Sequence, residues 1–252
     1  MLHLNKSINS NSITRKNASG CPFFRTQCRI IFKKNRSRFD INKIFDYNDV
    51  MIKISFSGIS GSGKTSLLQE VKKILSLKYK VDSLDEINGK NPFDNNKRSS
   101  FVSQFFYIST QINGENIHGT NPLDFLLCDR SVLDQWIYWK NHLTDKELTP
   151  QLEEKNALLK NLYQFWINTY DLIFFIRMDL KELENREYNS EFRTIDPEYI
   201  KRTEEMFLEV IEEDNLKVVE IWNNSSVDES AHQMIKAISE YKESLEPPAP
   251  ET

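Results

Sequence analysis

The feature that most constrains this chain is a glycine-rich stretch from Gly58 to Thr65, which reads Gly-Ile-Ser-Gly-Ser-Gly-Lys-Thr. Its spacing matches G-x-x-x-x-G-K-[ST], in which backbone N–H groups wrap a phosphate and the following helix adds a favourable dipole. Residues 52–57 have the β-branched and aromatic content of a strand, and the apolar residues of 66–77 recur at helical spacing. A loop of this kind between a strand and a helix predicts an α/β fold that binds a phosphate-bearing ligand.

The polar residues of this loop have separate chemical roles. Lys64 would reach the β- and γ-phosphates of a nucleotide, and Thr65 would hold Mg²⁺ through its hydroxyl. The alternative is an incidental Gly/Ser turn before a helix, which the Lys-Thr pair and the two flanking elements disfavour. The residues predicted to bind the nucleotide are Gly58, Ser60, Gly61, Ser62, Gly63, Lys64, Thr65 and Ser66.

Strand-like and helix-like segments alternate through the rest of the chain. Further strands are predicted at 79–84, 125–128, 171–176 and 218–221, and further helices at 101–112, 132–142, 151–169, 180–187, 197–213 and 231–245. Alternation of this kind indicates a parallel sheet covered by helices. We therefore predict a three-layer P-loop NTPase fold, with a five-stranded parallel sheet, helices on both faces and a small helical lid.

Polar residues follow two of the predicted strands. Glu86 comes after the second strand, and Asp129 and Arg130 come after the third, so all three should share a sheet edge with the phosphate loop. Phosphoryl transfer needs a carboxylate near the metal or the acceptor hydroxyl, and arginines over the transferring group. Glu86 and Asp129 are both candidates for the base, although a solvated acid and a structural ion pair are the simpler interpretations. Arg186 and Arg193 flank a charged stretch suited to a mobile lid.

The order of these motifs resembles that of the deoxynucleoside kinases and the related thymidylate kinases. It is also similar to the small P-loop ATPase domains that include ribosylnicotinamide kinase. The resemblance runs from Ile52 to about Leu245 and implies ATP and Mg²⁺ as cofactors and a small-molecule acceptor. The catalytic residues it implies are Lys64, Glu86, Asp129, Arg130, Arg186 and Arg193, with the two lid arginines matching only loosely because acids dilute that stretch.

The resemblance also implies individual roles for several residues around the acceptor. Glu86 matches the acid that acts as base on a 5′-hydroxyl, and Gln104 matches the glutamine that hydrogen-bonds the nucleobase. Phe105 or Phe101 would stack on that base. Arg130 would lie near the acceptor and Asp129 near Mg²⁺, which Thr65 also holds. The residues that follow the fifth strand, Asn223 and Asn224, stand where related kinases contact the adenine of ATP.

These residues are compatible with three different functions. The first is a nucleoside 5′-kinase, and the second is a kinase of nucleoside monophosphates, in which Lys97 and Arg98 could hold the acceptor phosphate. The third is a regulatory ATPase or nucleotide-binding module. A GTPase is disfavoured, because neither N-K-x-D nor D-x-x-G occurs in the sequence.

The amino-acid composition limits the classes of molecule that this protein is expected to bind. Nine of the 33 basic residues lie within the first 39 positions, which leaves 24 against 37 acidic residues. A body this acidic argues against a nucleic-acid partner. Apolar runs stay well short of the ~20 residues of a membrane span, so no membrane partner is expected. Related kinases often dimerise through a helical face, which leaves a homodimer open.

The two ends of the chain differ in composition from its body. Residues 1–50 begin with a basic Ser/Asn-rich segment that is typical of a transit peptide, a disordered tail, or sequence upstream of a start at Met51. We expect residues 51–245 to form the P-loop kinase domain and residues 246–252 a disordered tail. The expected location is cytoplasmic, or mitochondrial or otherwise organellar if the first 45 residues are a targeting signal.

Overall fold

The computed structural model describes residues 51–87, 91–93, 100–144, 146–185 and 196–245. The predicted N-terminal extension, the C-terminal tail and the predicted lid stretch at 186–193 lie outside this part of the chain. Among the helices described, none has the length and apolar character needed to cross a membrane.

Five strands form one parallel sheet, as predicted. They are β1 (Ile52–Ser57), β2 (Val81–Leu84), β3 (Phe125–Asp129), β4 (Leu172–Arg177) and β5 (Val219–Trp222). The strand order is β2-β3-β1-β4-β5, and all of the pairings between these strands are parallel. Strands β1 and β3 are buried along their whole length, because helices cover both faces of the sheet.

The described residues contain seven α-helices. They are α1 (Lys64–Leu75), α2 (Phe101–His118), α3 (Val132–Leu143), α4 (Pro150–Trp166), α5 (Leu180–Asn185), α6 (Pro197–Glu213) and α7 (Val227–Leu245), and a 3₁₀ turn at Ile167–Thr169 follows α4. Ser131, Thr149 and Asp196 cap α3, α4 and α6 by accepting backbone N–H groups of the first turn. Proline occupies the first turn of α4 and α6, where its missing N–H has no cost.

Two hydrophobic clusters lie on opposite faces of the sheet because successive side chains of a strand alternate between faces. One cluster joins the sheet to α1 and α7, and includes Ile54 and Phe56 of β1. The other joins it to α2, α3, α4 and α6, and includes Leu126 and Cys128 of β3. The remaining residues of β1, Lys53, Ser55 and Ser57, are polar and also buried, and Lys53 is 7% exposed.

The predicted element boundaries need two corrections of more than a few residues. Helix α2 continues through Gly114 to His118, whereas the sequence predicted an end near residue 112. Gly114 is accommodated inside the helix because it packs against β2, where an added Cβ would lie 2.9 Å from Leu84 Cδ1. Helix α7 begins at Val227, four residues before the predicted start.

Candidate active site

The phosphate loop connects β1 to α1 and needs glycine at its first position. Gly58 has φ 144°, and a Cβ built there would lie 2.3 Å from the backbone oxygen of Ile176 on β4. Gly61 and Gly63 also have positive φ, at 86° and 89°. The close approach and the backbone conformation together exclude a side chain at Gly58.

Lys64 is the first residue of α1 and is buried within the loop. Its Nζ donates to the backbone oxygens of Gly58 at 3.0 Å and of Ile59 at 2.7 Å. Burial, and after it the charge of Arg130, lowers the pKa of Lys64 from 10.5 to about 8. An anion bound in the loop would favour the charged form of this lysine.

Thr65 and Asp129 meet across the site. Thr65 Oγ1 donates to Asp129 Oδ2 at 2.6 Å, which joins the start of α1 to the end of β3. Asp129 is 3% exposed, and its buried Oδ1 has no hydrogen-bond partner among the described residues. Burial raises the pKa of Asp129.

These two side chains fit the predicted Mg²⁺. A carboxylate oxygen and a hydroxyl suit an ion that takes its remaining ligands from water and substrate phosphates. Within the described ranges no three His, Cys, Asp or Glu residues cluster as a metal cage.

Arg130 lies next to Asp129 in a left-handed backbone conformation, with φ 79°. Its guanidinium pairs through Nε with Glu86, donates from Nη1 to the Tyr138 hydroxyl at 3.0 Å, and lies 3.7 Å from Asp134 Oδ1. Burial opposes the charge, but Tyr138, Glu86 and Asp134 hold the pKa of Arg130 well above its ordinary value. The structure thus brings together Glu86, which follows β2, and Arg130, which follows β3.

Asp134 is a site residue that the sequence analysis missed. Its Oδ1 accepts from the backbone N–H of Gly58 at 3.2 Å, and its Oδ2 accepts from the Ser131 N–H at 3.0 Å. The Ser131 hydroxyl in turn hydrogen-bonds Ser57 at 2.7 Å. Ser131 and Asp134 form a capping box at the start of α3, and this S-x-x-D pattern was visible in the sequence.

The residues predicted to bind the acceptor base lie on α2. Gln104 is buried, on the same helix face as Tyr107 and Gln111. Phe105 is 39% exposed, and its ring stacks on Phe101 with the ring centroids 6.0 Å apart. Gln104 therefore faces inward and Phe105 lies on the outer side of the helix, and their binding of an acceptor base stays a prediction.

Asn223 contacts the phosphate loop itself. Its Nδ2 donates to the backbone oxygen of Ser62 at 2.8 Å, and the residue is completely buried. Asn224 instead bonds Asp179, with Nδ2 to Oδ2 at 2.7 Å. The resemblance implies adenine contacts for both asparagines, which stay a prediction, and in the structure Asn223 supports the loop. Two serines of the predicted nucleotide-binding set differ in exposure: Ser62 is buried, whereas Ser66 is exposed.

Four basic residues considered above lie outside the described residues. They are Lys97, Arg98, Arg186 and Arg193. Their roles as acceptor-phosphate ligands or lid arginines stay predictions.

The chain is similar to known proteins in sequence and in fold. The AAA domain family (AAA_28) matches residues 53–229. Thymidylate kinase from Candida albicans is similar in structure, with a TM-score of 0.54 and 17% identity over 76% of this chain and 92% of that chain. Deoxyadenosine kinase from M. mycoides is similar with bound dATP (TM-score 0.56) and with bound dCTP (0.58), each at 15% identity over 75% of this chain and 100% of that chain.

At these identities the solved structures establish the fold, and the comparison with curated proteins gave no match. The family match covers most of the chain, including the phosphate loop and the ends of β2 and β3. The chain therefore belongs to the AAA domain family and has the P-loop fold of the nucleoside and nucleotide kinases.

Proposed function

We propose that this protein transfers the γ-phosphoryl group of ATP to a hydroxyl of a small nucleoside-type acceptor, as a nucleoside 5′-kinase. The observation that carries the proposal is the ion pair of Glu86 with Arg130 at the sheet edge that bears Lys64 and Asp129. The groups that would bind phosphate, Lys64 and Asp129, and those that would activate an acceptor, Glu86 and Arg130, lie within electrostatic reach of one another. We assign this activity to residues 51–245.

The phosphate loop and its lysine supply the donor side. Lys64 would exchange its two backbone acceptors, Gly58 and Ile59, for phosphate oxygens, which suit an ammonium group better than carbonyls do. Thr65 and Asp129 would hold Mg²⁺, which neutralises phosphate charge when bound. Asn223 and Asp134 keep the loop in place through Ser62 and Gly58.

Glu86 is the carboxylate best placed to act on an acceptor. Its side chain is 23% exposed, whereas that of Asp134 is fully buried and Asp129 is engaged by Thr65. A carboxylate that is reachable and hydrogen-bonded to an arginine can accept the proton of a hydroxyl while the arginine stabilises the developing charge. Glu86 is therefore our choice for the base and Arg130 for the stabilising cation.

The local charge favours a hydroxyl acceptor over a phosphorylated one. Lys64 and Arg130 face three carboxylates, Glu86, Asp129 and Asp134. Because Arg130 is already paired with acids, an acceptor phosphate bound here would need further cations to balance its charge. The fold similarity to thymidylate kinase keeps nucleoside monophosphate kinase as the second candidate.

The test is ATP consumption by the full chain with Mg²⁺, measured against a panel of nucleosides, nucleoside monophosphates and nicotinamide riboside. Lys64→Ala should lower turnover by about 100-fold or more, because it removes a cation from the transferring phosphates. Lys73→Ala is the matched control, since Lys73 lies on the same helix with its side chain exposed and paired to Glu70.

Each outcome of the panel has a distinct meaning. Turnover that depends on a nucleoside supports the proposal, and turnover that depends on a monophosphate supports the second candidate. ATP hydrolysis without an acceptor, or ATP binding without any turnover, would overturn both and favour a regulatory ATPase or a binding module.

A further inference from the structure

Behind the site lies a buried polar network centred on Glu115 of α2, whose side chain is fully buried. Its Oε2 accepts from Lys53 Nζ at 2.8 Å and from Trp166 Nε1 at 2.6 Å. Its Oε1 accepts from Gln111 Nε2 at 2.8 Å and from the Tyr170 hydroxyl at 2.6 Å. Four donors thus satisfy one carboxylate in the hydrophobic cluster between the sheet and α2–α4.

Two of these donors, Gln111 and Tyr170 on the Oε1 side, also contact the turn that follows β3. Gln111 Nε2 also donates to the backbone oxygen of Arg130, at 3.3 Å. The Tyr170 hydroxyl accepts the backbone N–H of Val132, at 3.3 Å. Gln111 and Tyr170 therefore contact the backbone on both sides of Ser131, in the turn that carries Arg130.

That turn needs external support for two reasons. Arg130 has φ 79°, a conformation that a side-chain-bearing residue keeps only when its surroundings enforce it. Val132 is the first residue of α3, so its N–H has no partner within the helix. Burial and the Glu115 carboxylate hold the pKa of Tyr170 well above its ordinary value, so its hydroxyl stays protonated and bonded to Glu115.

We propose that Glu115 is a positioning residue for catalysis: through Gln111 and Tyr170 it fixes the Asp129–Val132 turn and thereby the direction of Arg130. This role rests on the proposed kinase function. Lys53 and Trp166 hold the opposite oxygen of Glu115, and among the described residues neither side chain hydrogen-bonds the turn. The buried ion pair of Lys53 with Glu115 need not stabilise the fold, because removing two charges from water costs about as much as their attraction returns. A positional role for Glu115 is consistent with this.

Two aromatic residues provide a closely matched experiment. Tyr170 and Trp166 each donate a 2.6 Å hydrogen bond to Glu115, and the rings of both lie under Lys53 Nζ, at 4.8 Å and 4.7 Å. Tyr170→Phe and Trp166→Phe each delete that hydrogen bond and keep an aromatic ring. Only Tyr170→Phe also releases the N–H of Val132.

Tyr170→Phe should lower kcat about tenfold or more and leave the KM for ATP within about twofold, because displacing a catalytic group by a fraction of an ångström is costly. Gln111→Met should act in the same direction. Trp166→Phe should keep kcat within about twofold. Equal losses in Tyr170→Phe and Trp166→Phe, or no loss in Tyr170→Phe, would overturn the proposal.

Amide hydrogen exchange of Val132, followed by NMR in the full chain, gives a readout that does not depend on activity. Exchange should become about tenfold faster in Tyr170→Phe and stay unchanged in Trp166→Phe. Unchanged exchange in Tyr170→Phe would refute the inference even if the wild type is an active kinase. Conversely, a wild type without acceptor-dependent turnover would refute the proposed function, and Val132 exchange would still decide whether Tyr170, which links Glu115 to the turn, holds it in place.

Discussion

Thr65 of α1 and Asp129 of β3 share a 2.6 Å hydrogen bond, and Asp129 keeps its second, buried oxygen without a hydrogen-bond partner in the described structure. This pair joins the phosphate loop to the strand end that carries Arg130. It also presents one carboxylate oxygen and one hydroxyl at the position where the loop would hold a metal-bound nucleotide.

Asp129→Asn should raise the Mg²⁺ concentration needed for half-maximal turnover by about 10- to 100-fold, because an amide oxygen is a weaker ligand than a carboxylate. The measurement is a Mg²⁺ titration of the proposed kinase reaction at saturating ATP. Thr65→Ser is the control and should behave as the wild type, since it keeps the hydroxyl. An unchanged Mg²⁺ requirement in Asp129→Asn would remove Asp129 from the metal site.

The depressed pKa of Lys64 predicts a pH-dependent stability. Below about pH 8 the lysine is protonated in both the folded and the unfolded chain, and burial of the charge costs stability. Between about pH 8 and 10.5 the folded protein has lost this proton while the unfolded chain retains it, so the free energy of unfolding rises with pH. The wild type should gain about 3 kcal/mol relative to Lys64→Met across this window.

Denaturant unfolding of the wild type and of Lys64→Met at several pH values between 7 and about 10.5 checks this prediction. The difference between the two proteins isolates Lys64, because all other titrating groups are common to both. If the two free energies change in parallel, the pKa of Lys64 is not depressed in the folded state.

Glu86→Gln should lower turnover by about 100-fold or more if Glu86 is the base, because the amide cannot accept the proton. The substitution keeps an oxygen that can accept from Arg130, so thermal stability should change little. Asp85→Asn, at the exposed neighbouring position, is the control and should retain activity. A near-normal rate in Glu86→Gln would transfer the role of base to Asp129.

Asn223→Ala should weaken ATP binding about fivefold, because the loop loses the hydrogen bond to Ser62 that holds it against β5. Asn224→Ala should leave the affinity unchanged, since Asn224 bonds Asp179 instead. Isothermal titration with ATP and Mg²⁺ measures both. An equal or larger effect in Asn224→Ala would favour the adenine contact that the sequence resemblance implied.

Local pattern was enough to find the phosphate loop, the five strands and the acids and arginine at their ends. These features can be predicted from sequence because each depends on residues only a few positions apart. The loop is a run of glycines followed by Lys64 and Thr65, the strands are short β-branched runs, and the polar site residues come directly after those runs. The capping box of Ser131 and Asp134 is equally local and was overlooked. By contrast, the helix end predicted near residue 112 is wrong: the helix continues through Gly114, which lies against Leu84 on another element.

The sequence by itself therefore determined the fold class, the nucleotide loop and the candidates Glu86, Asp129 and Arg130. Only the tertiary structure decided which distant polar groups meet. Glu86 pairs with Arg130, Asn223 bonds to Ser62, and Lys53 pairs with Glu115. These partners are 44, 161 and 62 residues apart in the chain. Such contacts have no local signature, because packing of the sheet and helices determines which buried polar groups meet, and each must then find its hydrogen-bond partner there.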